Sequence, residues 1–268
     1  MTKEDTIMNK LIILGSGSAA GVPSISRGWG KCDRTNPKNL RMRTGTYIEY
    51  EGLKFMIDTS PDLRTQMLDN ELKNVDFILY THIHPDHTAG IFDIREINRL
   101  SRKPVSLFST EKVMKEIRGC YGYLFGEKKK LKKFSLPIAT AHSVKINQPF
   151  YIKGVKITAI KLLGHYSEEC VGYVFDDGEL VYISDFKKLS LSALKAIKKK
   201  PKILIIPLTS VTDDTNHANL KTVKAYIEKI DANRTILNHM STDCDYDEVN
   251  QLTSYNTFPG FDGLEIEF

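Results

Sequence analysis

The chain is short of thiols. Its four cysteines, Cys32, Cys120, Cys170 and Cys244, lie far apart and form no C-x-x-C pair, which argues against a disulfide framework and against a thiolate zinc cage. Long apolar runs are missing too. Nothing approaches the ~18 apolar residues of a membrane span, and Leu11-Ile-Ile-Leu14, after a start that mixes Lys with Glu and Asp, is far too short for a signal-peptide core. No solenoid-length repeat or flexible linker interrupts the 268 residues. Charge of one sign is scarce as well: the formal net charge is +5, with much of the excess in two runs, 128–133 and 198–202. Such runs read first as solvated faces or loops and only second as an anion patch. These absences lead to the expectation of a protein of the reducing cytoplasm, away from membranes, with nucleic acid allowed as a partner but not demanded. With 41% apolar residues the chain can bury a substantial core, and one α/β domain over residues 1–268 is expected. The sequence does not decide oligomeric state and leaves a homodimer open.

What the chain does have is histidine in one place. Thr81-His82-Ile83-His84-Pro85-Asp86-His87 follows Phe77-Ile78-Leu79-Tyr80, an apolar run that reads as a buried strand. Three imidazoles and a carboxylate crowded into one turn are unfavourable without a cation, and neutral imidazole and carboxylate are ligands of first-row metals. If the turn stays extended, as Pro85 encourages for His84, then His82 and His84 point the same way.

The rest of the chain reads as strands and helices in alternation. Residues 11–14 form a strand running into Gly15-Ser-Gly-Ser-Ala-Ala-Gly-Val-Pro23, a small-residue loop that could cradle a phosphate but matches neither a P-loop nor a dinucleotide fingerprint. Residues 26–43, with the single tryptophan Trp29, read as an irregular surface loop. A hairpin at 46–50 and 54–57 is expected, then a helix starting at Ser60-Pro61 with Leu63 and Met67 buried, and a helix burying Ile91, Ile94, Ile97 and Leu100. A strand at 105–108 and a helix at 111–118 follow. In the second half, strands are expected at 155–160, 171–175, 179–183, 203–206 and 235–237, and a helix burying Leu220, Val223, Ile227 and Ile230. Asp58, His82, His165, Asp185 and His239 each fall within a residue or two of the end of an apolar strand. In an α/β sheet, strand ends on one edge share a location, and that edge is where sites form. His142, with no partner in sequence, reads as structural.

His82-x-His84-x-Asp86-His87, Gly164-His165, Ser184-Asp185 and His239 together resemble the successive metal motifs of the metallo-β-lactamase superfamily, over nearly the whole chain. The resemblance implies an αββα sandwich, two mixed β-sheets flanked by helices, with the site at one edge. It places His82, His84 and His165 on one metal and Asp86, His87 and His239 on a second, with Asp185 bridging and Asp58 bracing the histidine loop. Two divalent ions are implied, Zn²⁺ first and Mn²⁺ or Fe²⁺ as alternatives, activating a bridging hydroxide.

The stretch from Leu14 to Pro23, Asn216-His217-Ala-Asn-Leu220 and Gly260-Phe-Asp-Gly-Leu-Glu-Ile266 are similar to the branch that includes the phosphoribosyl 1,2-cyclic phosphate phosphodiesterase. That similarity implies hydrolysis of a small or cyclic phosphodiester, with His217 as general acid and Asp86 as its relay partner. Arg41, Arg43 and the backbone of Gly15, Ser16 and Gly17 are candidates for holding the remainder of a small phosphorylated substrate. The branch member carries a Cys-x-Cys-x-x-Cys cluster for a structural zinc where this chain has Gly28-Trp-Gly-Lys-Cys32-Asp-Arg-Thr-Asn-Pro37, so a third zinc is not expected. Alternatives are an RNA 3′-end nuclease like tRNase Z, a lactone or thioester hydrolase, and a binding module with vestigial catalysis. Against the nuclease, His217 is followed by Ala218 where that group has a His-Glu pair, and no long tRNA-binding arm is evident.

Overall fold

The computed structural model describes residues 8–126, 137–166, 169–254 and 256–268, so the lysine run 128–133 lies outside the described residues. The first half of the chain supplies β1 (Lys10–Gly15), β2 (Gly45–Tyr50), β3 (Leu53–Ile57), β4 (Phe77–Leu79), β5 (Val105–Thr110) and β6 (Ala139–Val144). The second half supplies β7 (Pro149–Ile152), β8 (Val155–Leu163), β9 (Cys170–Phe175), β10 (Leu180–Tyr182), β11 (Lys188–Leu189), β12 (Ile203–Pro207), β13 (Arg234–Asn238) and β14 (Thr257–Pro259). A final strand, β15 (Leu264–Glu267), crosses back and pairs antiparallel with β1, giving the first sheet the order β15-β1-β2-β3-β4-β5-β6. The second sheet runs β11-β8-β9-β10-β12-β13-β14, with β7 beside the opening half of β8. Both sheets are mixed: β3 to β6 are mutually parallel, as are β10, β12, β13 and β14, and the other pairs are antiparallel.

The helices are α1 (Leu63–Asp69), α2 (Pro85–Thr88), α3 (Ile94–Ser101), α4 (Glu111–Tyr121), α5 (Leu191–Ala196), α6 (Leu220–Ile230) and α7 (Tyr246–Gln251). Alternation along the strands explains the layering, because successive side chains point to opposite faces. Leu11, Ile13, Phe55, Ile57, Phe77 and Leu79 meet Ile157, Tyr173, Phe175, Ile203 and Ile205 of the other sheet in a shared central core. Their neighbours Ile12, Leu14, Met56 and Ile78 face outward onto Leu63, Ile94, Ile97, Val113 and Ile117 of α1, α3 and α4. On the far side Val181, Leu204 and Ile206 pack under Ala193, Val223, Ile227 and Val249 of α5, α6 and α7. Central strands buried on both faces read as unbroken apolar runs, which is why 11–14 and 203–206 stand out in the sequence. Phe55 ties the layers, stacked on Phe77 within its sheet at 4.7 Å and on Phe175 across the gap at 5.3 Å. Each such ring pair adds about 0.5–1.5 kcal/mol beyond its area burial. The αββα sandwich expected from the sequence is what the chain forms.

Four local expectations are corrected. Leu100 is 65% exposed, although Ile91, Ile94 and Ile97 are buried. Ile91 belongs to a 3-10 turn (Ala89–Asp93), where a spacing of three keeps register, whereas on the following α-helix each step of three falls back by about 60°, rotating Leu100 out. The helix expected from Ser60-Pro61 begins at Leu63, after Asp62, whose carboxylate is taken by Arg43. Residues 26–43 are no free surface loop: Cys32, Asn39 and Arg41 are buried against residues 241–246. The edge strands β6, β7, β14 and β15 escaped the sequence reading, since partial exposure breaks their apolar runs. The run 198–202 behaves as a solvated loop, with Lys198, Lys199, Lys200 and Lys202 paired to Asp177, Glu179 and Asp231. His142 stacks on Phe108 at 4.6 Å. Among the described residues no helix is long and apolar enough to cross a membrane.

The turn behind the histidines is packed backbone against backbone. A Cβ on Gly90 would fall 1.9 Å from the Ser60 carbonyl oxygen and 2.9 Å from Leu63 Cβ. Gly90→Ala should therefore lower stability by about 1–3 kcal/mol, read from the urea unfolding midpoint; an unchanged midpoint would mean that this turn yields without strain.

Candidate dinuclear metal centre

Every strand that leads into the site does so at its C-terminal end. Asp58 follows β3, Thr81 and His82 lie just beyond β4, His165 follows β8, Asp185 lies beyond β10, Thr209 beyond β12, and His239 follows β13. The expected extended turn holds as far as His84, whose ψ is 145°; Pro85 then opens α2, the position where its missing N–H costs nothing. The helical turn swings Asp86 and His87 in beside His82. Asp58 and His239 both adopt left-handed backbone, with φ of 63° and 57°. That conformation costs roughly 1–2 kcal/mol for a residue with a side chain.

Two groups of donor atoms result. His82, His84, His165 and Asp185 form one, and Asp86, His87, His239 and the same Asp185 form the other, with the donor atoms of each group all within 4.8 Å of one another. Asp185 Oδ2 lies 4.0 Å from His82 Nε2, 3.7 Å from His87 Nε2, 3.5 Å from His165 Nε2 and 3.3 Å from His239 Nε2. Asp86 Oδ2 is 3.3 Å from Nε2 of both His87 and His239, and His165 Nε2 is 3.1 Å from His84 Nδ1. Donors about 2.0–2.1 Å from a tetrahedral ion stand about 3.3 Å apart, so these spacings suit cations between the side chains.

The outer nitrogens show which way the lone pairs face. His87 Nδ1 donates to Asp58 Oδ2 at 2.7 Å; His82 Nδ1 donates to Thr81 Oγ1 at 2.9 Å, and that hydroxyl in turn donates to Asp58. His239 Nδ1 is held by Thr209 Oγ1 at 3.1 Å, and His165 Nδ1 faces the Asn216 carbonyl at 3.4 Å. Each anchor leaves Nε2 with its lone pair turned inward. His82 Nε2, His87 Nε2 and Asp185 Oδ1 are buried with no hydrogen-bond partner, an arrangement that is costly for a polar core and right for ligands. Burial and the neighbouring His87 hold His82 well below the usual histidine range, and burial together with His217 and His84 brings His165 down to about 4. Asp185 and Asp86 stay ionised: the surrounding imidazoles outweigh the burial that would raise them. Neutral imidazole and ionised carboxylate are the forms that bind cations, and the residues present fit two divalent ions sharing Asp185.

His217 lies beside this centre, its Nε2 3.5 Å from Asp185 Oδ2 and its ring centroid 4.7 Å from that of His165. Its Nδ1 is bound at 3.0 Å by Asp214, which the sequence reading missed. The expected relay through Asp86 is thereby corrected: Asp86 faces His87 and His239, and the carboxylate on His217 is that of Asp214. The spacing Asp214-Thr-Asn-His217 was the available signal, a carboxylate three residues ahead of a histidine in a turn.

The substrate-holding candidates fare unevenly. Arg41 is corrected: only 2% exposed, its guanidinium donates to the carbonyls of Cys244 and Ser241 and to Asn39 Oδ1, beside the Cys32 thiol. A group so committed is part of the scaffold. The glycine loop is corrected for the same reason, because the Ser16 N–H donates to Asp262 and the Gly17 N–H to the Met42 carbonyl. Gly15 serves close approach instead; a Cβ there would meet the Arg43 carbonyl oxygen at 2.1 Å. Arg43 keeps a part-exposed side chain, forked onto Asp62 and within the field of Asp86.

Two outcomes follow. Asp58→Ala, which removes the anchor of His87 and of the Thr81–His82 pair, should weaken metal binding roughly 10- to 100-fold in competition with a chromogenic chelator. Stripping the ions should lower stability by about 4 kcal/mol relative to protein held at a thousand times the dissociation constant; a melting temperature indifferent to chelator would contradict a resident metal centre.

Comparison with known proteins agrees with this geometry. A diphosphatase of the PhnP family has a crystal structure that matches over 98% of both chains, with 27% identity and a TM-score of 0.86. Zinc-bound PqqB from Methylobacterium extorquens shares the fold, with a TM-score of 0.73 over 97% of this chain and 100% of the other at 17% identity. An octanoyltransferase of Porphyromonas gingivalis is 26% identical over 258 residues, which is 96% of this chain and 51% of that protein, so the chain spans about half the length of this relative. The family model for the beta-lactamase superfamily domain matches residues 54–240, a span that runs from β3 through both donor groups to the residue after His239. By that match, and by the two donor groups set on its sandwich, the chain belongs to the metallo-β-lactamase superfamily.

Proposed function

We propose that this metal-dependent hydrolase cleaves a P–O bond in a small phosphorylated substrate, a linear or cyclic phosphodiester or a diphosphate. The observation that carries the reading is His217: a proton donor turned toward the carboxylate that both donor groups share, with its far nitrogen already anchored. The likeness to a diphosphatase over the full chain supports the same class of bond. Zn²⁺ is the proposed occupant, with Mn²⁺ or Fe²⁺ as alternatives, because the donors are nitrogen and oxygen without thiolate. Bound by His82, His84, His165 and Asp185 on one side and Asp86, His87, His239 and Asp185 on the other, a cation pair would supply Lewis acidity toward phosphoryl oxygens and acidify water.

The chain's own groups do the rest. Water's oxygen forms a new bond to phosphorus while the P–O bond to the leaving group breaks, its electron pair staying on the departing oxygen. The N–H at His217 Nε2 supplies the proton that this oxygen needs, and the proton shed by water restores His217 through solvent. Burial and the flanking carboxylates Asp185 and Asp214 act on His217 in opposite senses, and the carboxylates win, holding it in the charged, donating form above the ordinary histidine range. Arg43 remains the proposed cation for a second, non-reacting phosphate or carboxylate of the substrate.

Metal-loaded protein should hydrolyse bis(p-nitrophenyl) phosphate, and a panel of cyclic diesters and small diphosphates should contain better substrates. His217→Ala should cut turnover of esters with poor leaving groups by about 10²- to 10⁴-fold with bound metal unchanged by elemental analysis. Turnover of a lactone or thioester, with every phosphoryl substrate inert, would overturn the assignment.

A further inference from the structure

Resting on that reading, we propose that Asp214 is the positioning residue of the proton donor: it holds the His217 ring so that the N–H at Nε2, and not the carbon Cε1, faces the bond being broken. One oxygen, Asp214 Oδ1, accepts from three donors of the same turn: the N–H of Asn216 at 2.8 Å, the N–H of His217 at 2.7 Å and His217 Nδ1 at 3.0 Å. The first two bonds fix the backbone that carries the imidazole, and the third fixes the ring on that backbone. A ring otherwise free to flip by half a turn would put Cε1, a carbon with no proton to give, where Nε2 stands.

The turn itself is fastened from three sides. Lys187, two residues past Asp185, reaches under it and donates to the main-chain carbonyls of Asp214 and of His217, the latter at 2.9 Å. The N–H of Ala218 donates to the Phe186 carbonyl at 2.8 Å, and Asn219 caps α6 by accepting from Thr222. Both contacts from Lys187 and Phe186 originate in the segment that carries Asp185, so the shared ligand and the proton donor are built on neighbouring stretches of backbone. Room for Lys187 comes from Gly164, where a Cβ would fall 2.7 Å from the lysine Cβ. Glycine there also meets a φ of 77° one residue ahead of the ligand His165. Positioning a group within a few tenths of an ångström in this way is what makes a bound geometry reactive.

The test separates holding the turn from aiming the ring. In Asp214→Ser the hydroxyl still accepts from the two backbone N–H groups but falls short of Nδ1; in Asp214→Asn an amide oxygen stays in reach of all three donors. Both, with His217→Ala and the double variant Asp214→Ser/His217→Ala, are assayed with a series of aryl phosphodiesters running from p-nitrophenyl to unsubstituted phenyl leaving groups. Expected is a kcat loss for Asp214→Ser that is small for p-nitrophenyl and grows to about 10- to 100-fold for phenyl, with KM and bound metal unchanged. The growth should parallel that of His217→Ala, the double variant should lose no more than His217→Ala alone, and Asp214→Asn, which keeps an oxygen on the three donors but not the charge, should lose less than Asp214→Ser. If Asp214→Ser loses the same factor on every ester, or nothing, while His217→Ala loses more as the leaving group worsens, the positioning role is wrong and the proton donor stands. If His217→Ala is itself indifferent to the leaving group, the proton-donor reading fails and this inference with it.

Discussion

A single buried carboxylate oxygen organises this molecule. Asp185 Oδ2 has five imidazoles around it within 4.0 Å, those of His82, His87, His165, His217 and His239. A charge so far from water is tolerable only when opposite charge surrounds it, and the nearby His87 and His217, both held toward the charged form by their flanking carboxylates, supply part of it. The two donor groups that share this carboxylate fit a pair of cations on either side of it. The outer anchors, from Asp58 through Thr81 and from Thr209, exist to keep those lone pairs aimed.

The sandwich makes such a meeting cheap to build. Five of the converging segments leave the C-terminal ends of strands that already lie side by side through their hydrogen bonds, so adjacency is inherited from the sheets and only the last few residues need adjusting. Left-handed backbone at Asp58 and His239 is where that adjustment is visible. The two sheets contribute unequally in kind. One brings the histidine motif and the aspartate that braces it; the other brings Asp185 together with the proton donor, on backbone joined by the contacts of Phe186 and Lys187.

Much of this was legible in the sequence, and the boundary has physical causes. Central strands buried on both faces announce themselves as apolar runs, and a polar residue at the end of each is visible as a break in that run, which is how Asp58, His165, Asp185 and His239 could be found without coordinates. Edge strands such as β7, exposed at every second residue, carry too little pattern. Arg41 and Arg43 look alike in sequence, two residues apart, but only coordinates show that Arg41 is buried on the carbonyls of Ser241 and Cys244 while Arg43 stays part-exposed on Asp62. The glycine loop misled for a related reason: glycine marks close approach of backbone, and the partner approached was the chain itself, not a phosphate. Asp214 left a trace in its spacing from His217, but the ring contact that gives it a role is visible only in the folded turn.

The seating of residues 26–43 has a consequence for how the centre survives shortage. The stretch that follows His239 is gripped by the Arg41 guanidinium, through carbonyls of Ser241 and Cys244 and through Asn39, which also reaches Asp245. Nothing in that grip depends on dissolved ions, so a sequestering agent strong enough to empty the imidazole cage has no purchase on it. The backbone just beyond His239 is thus held by contacts of the chain alone.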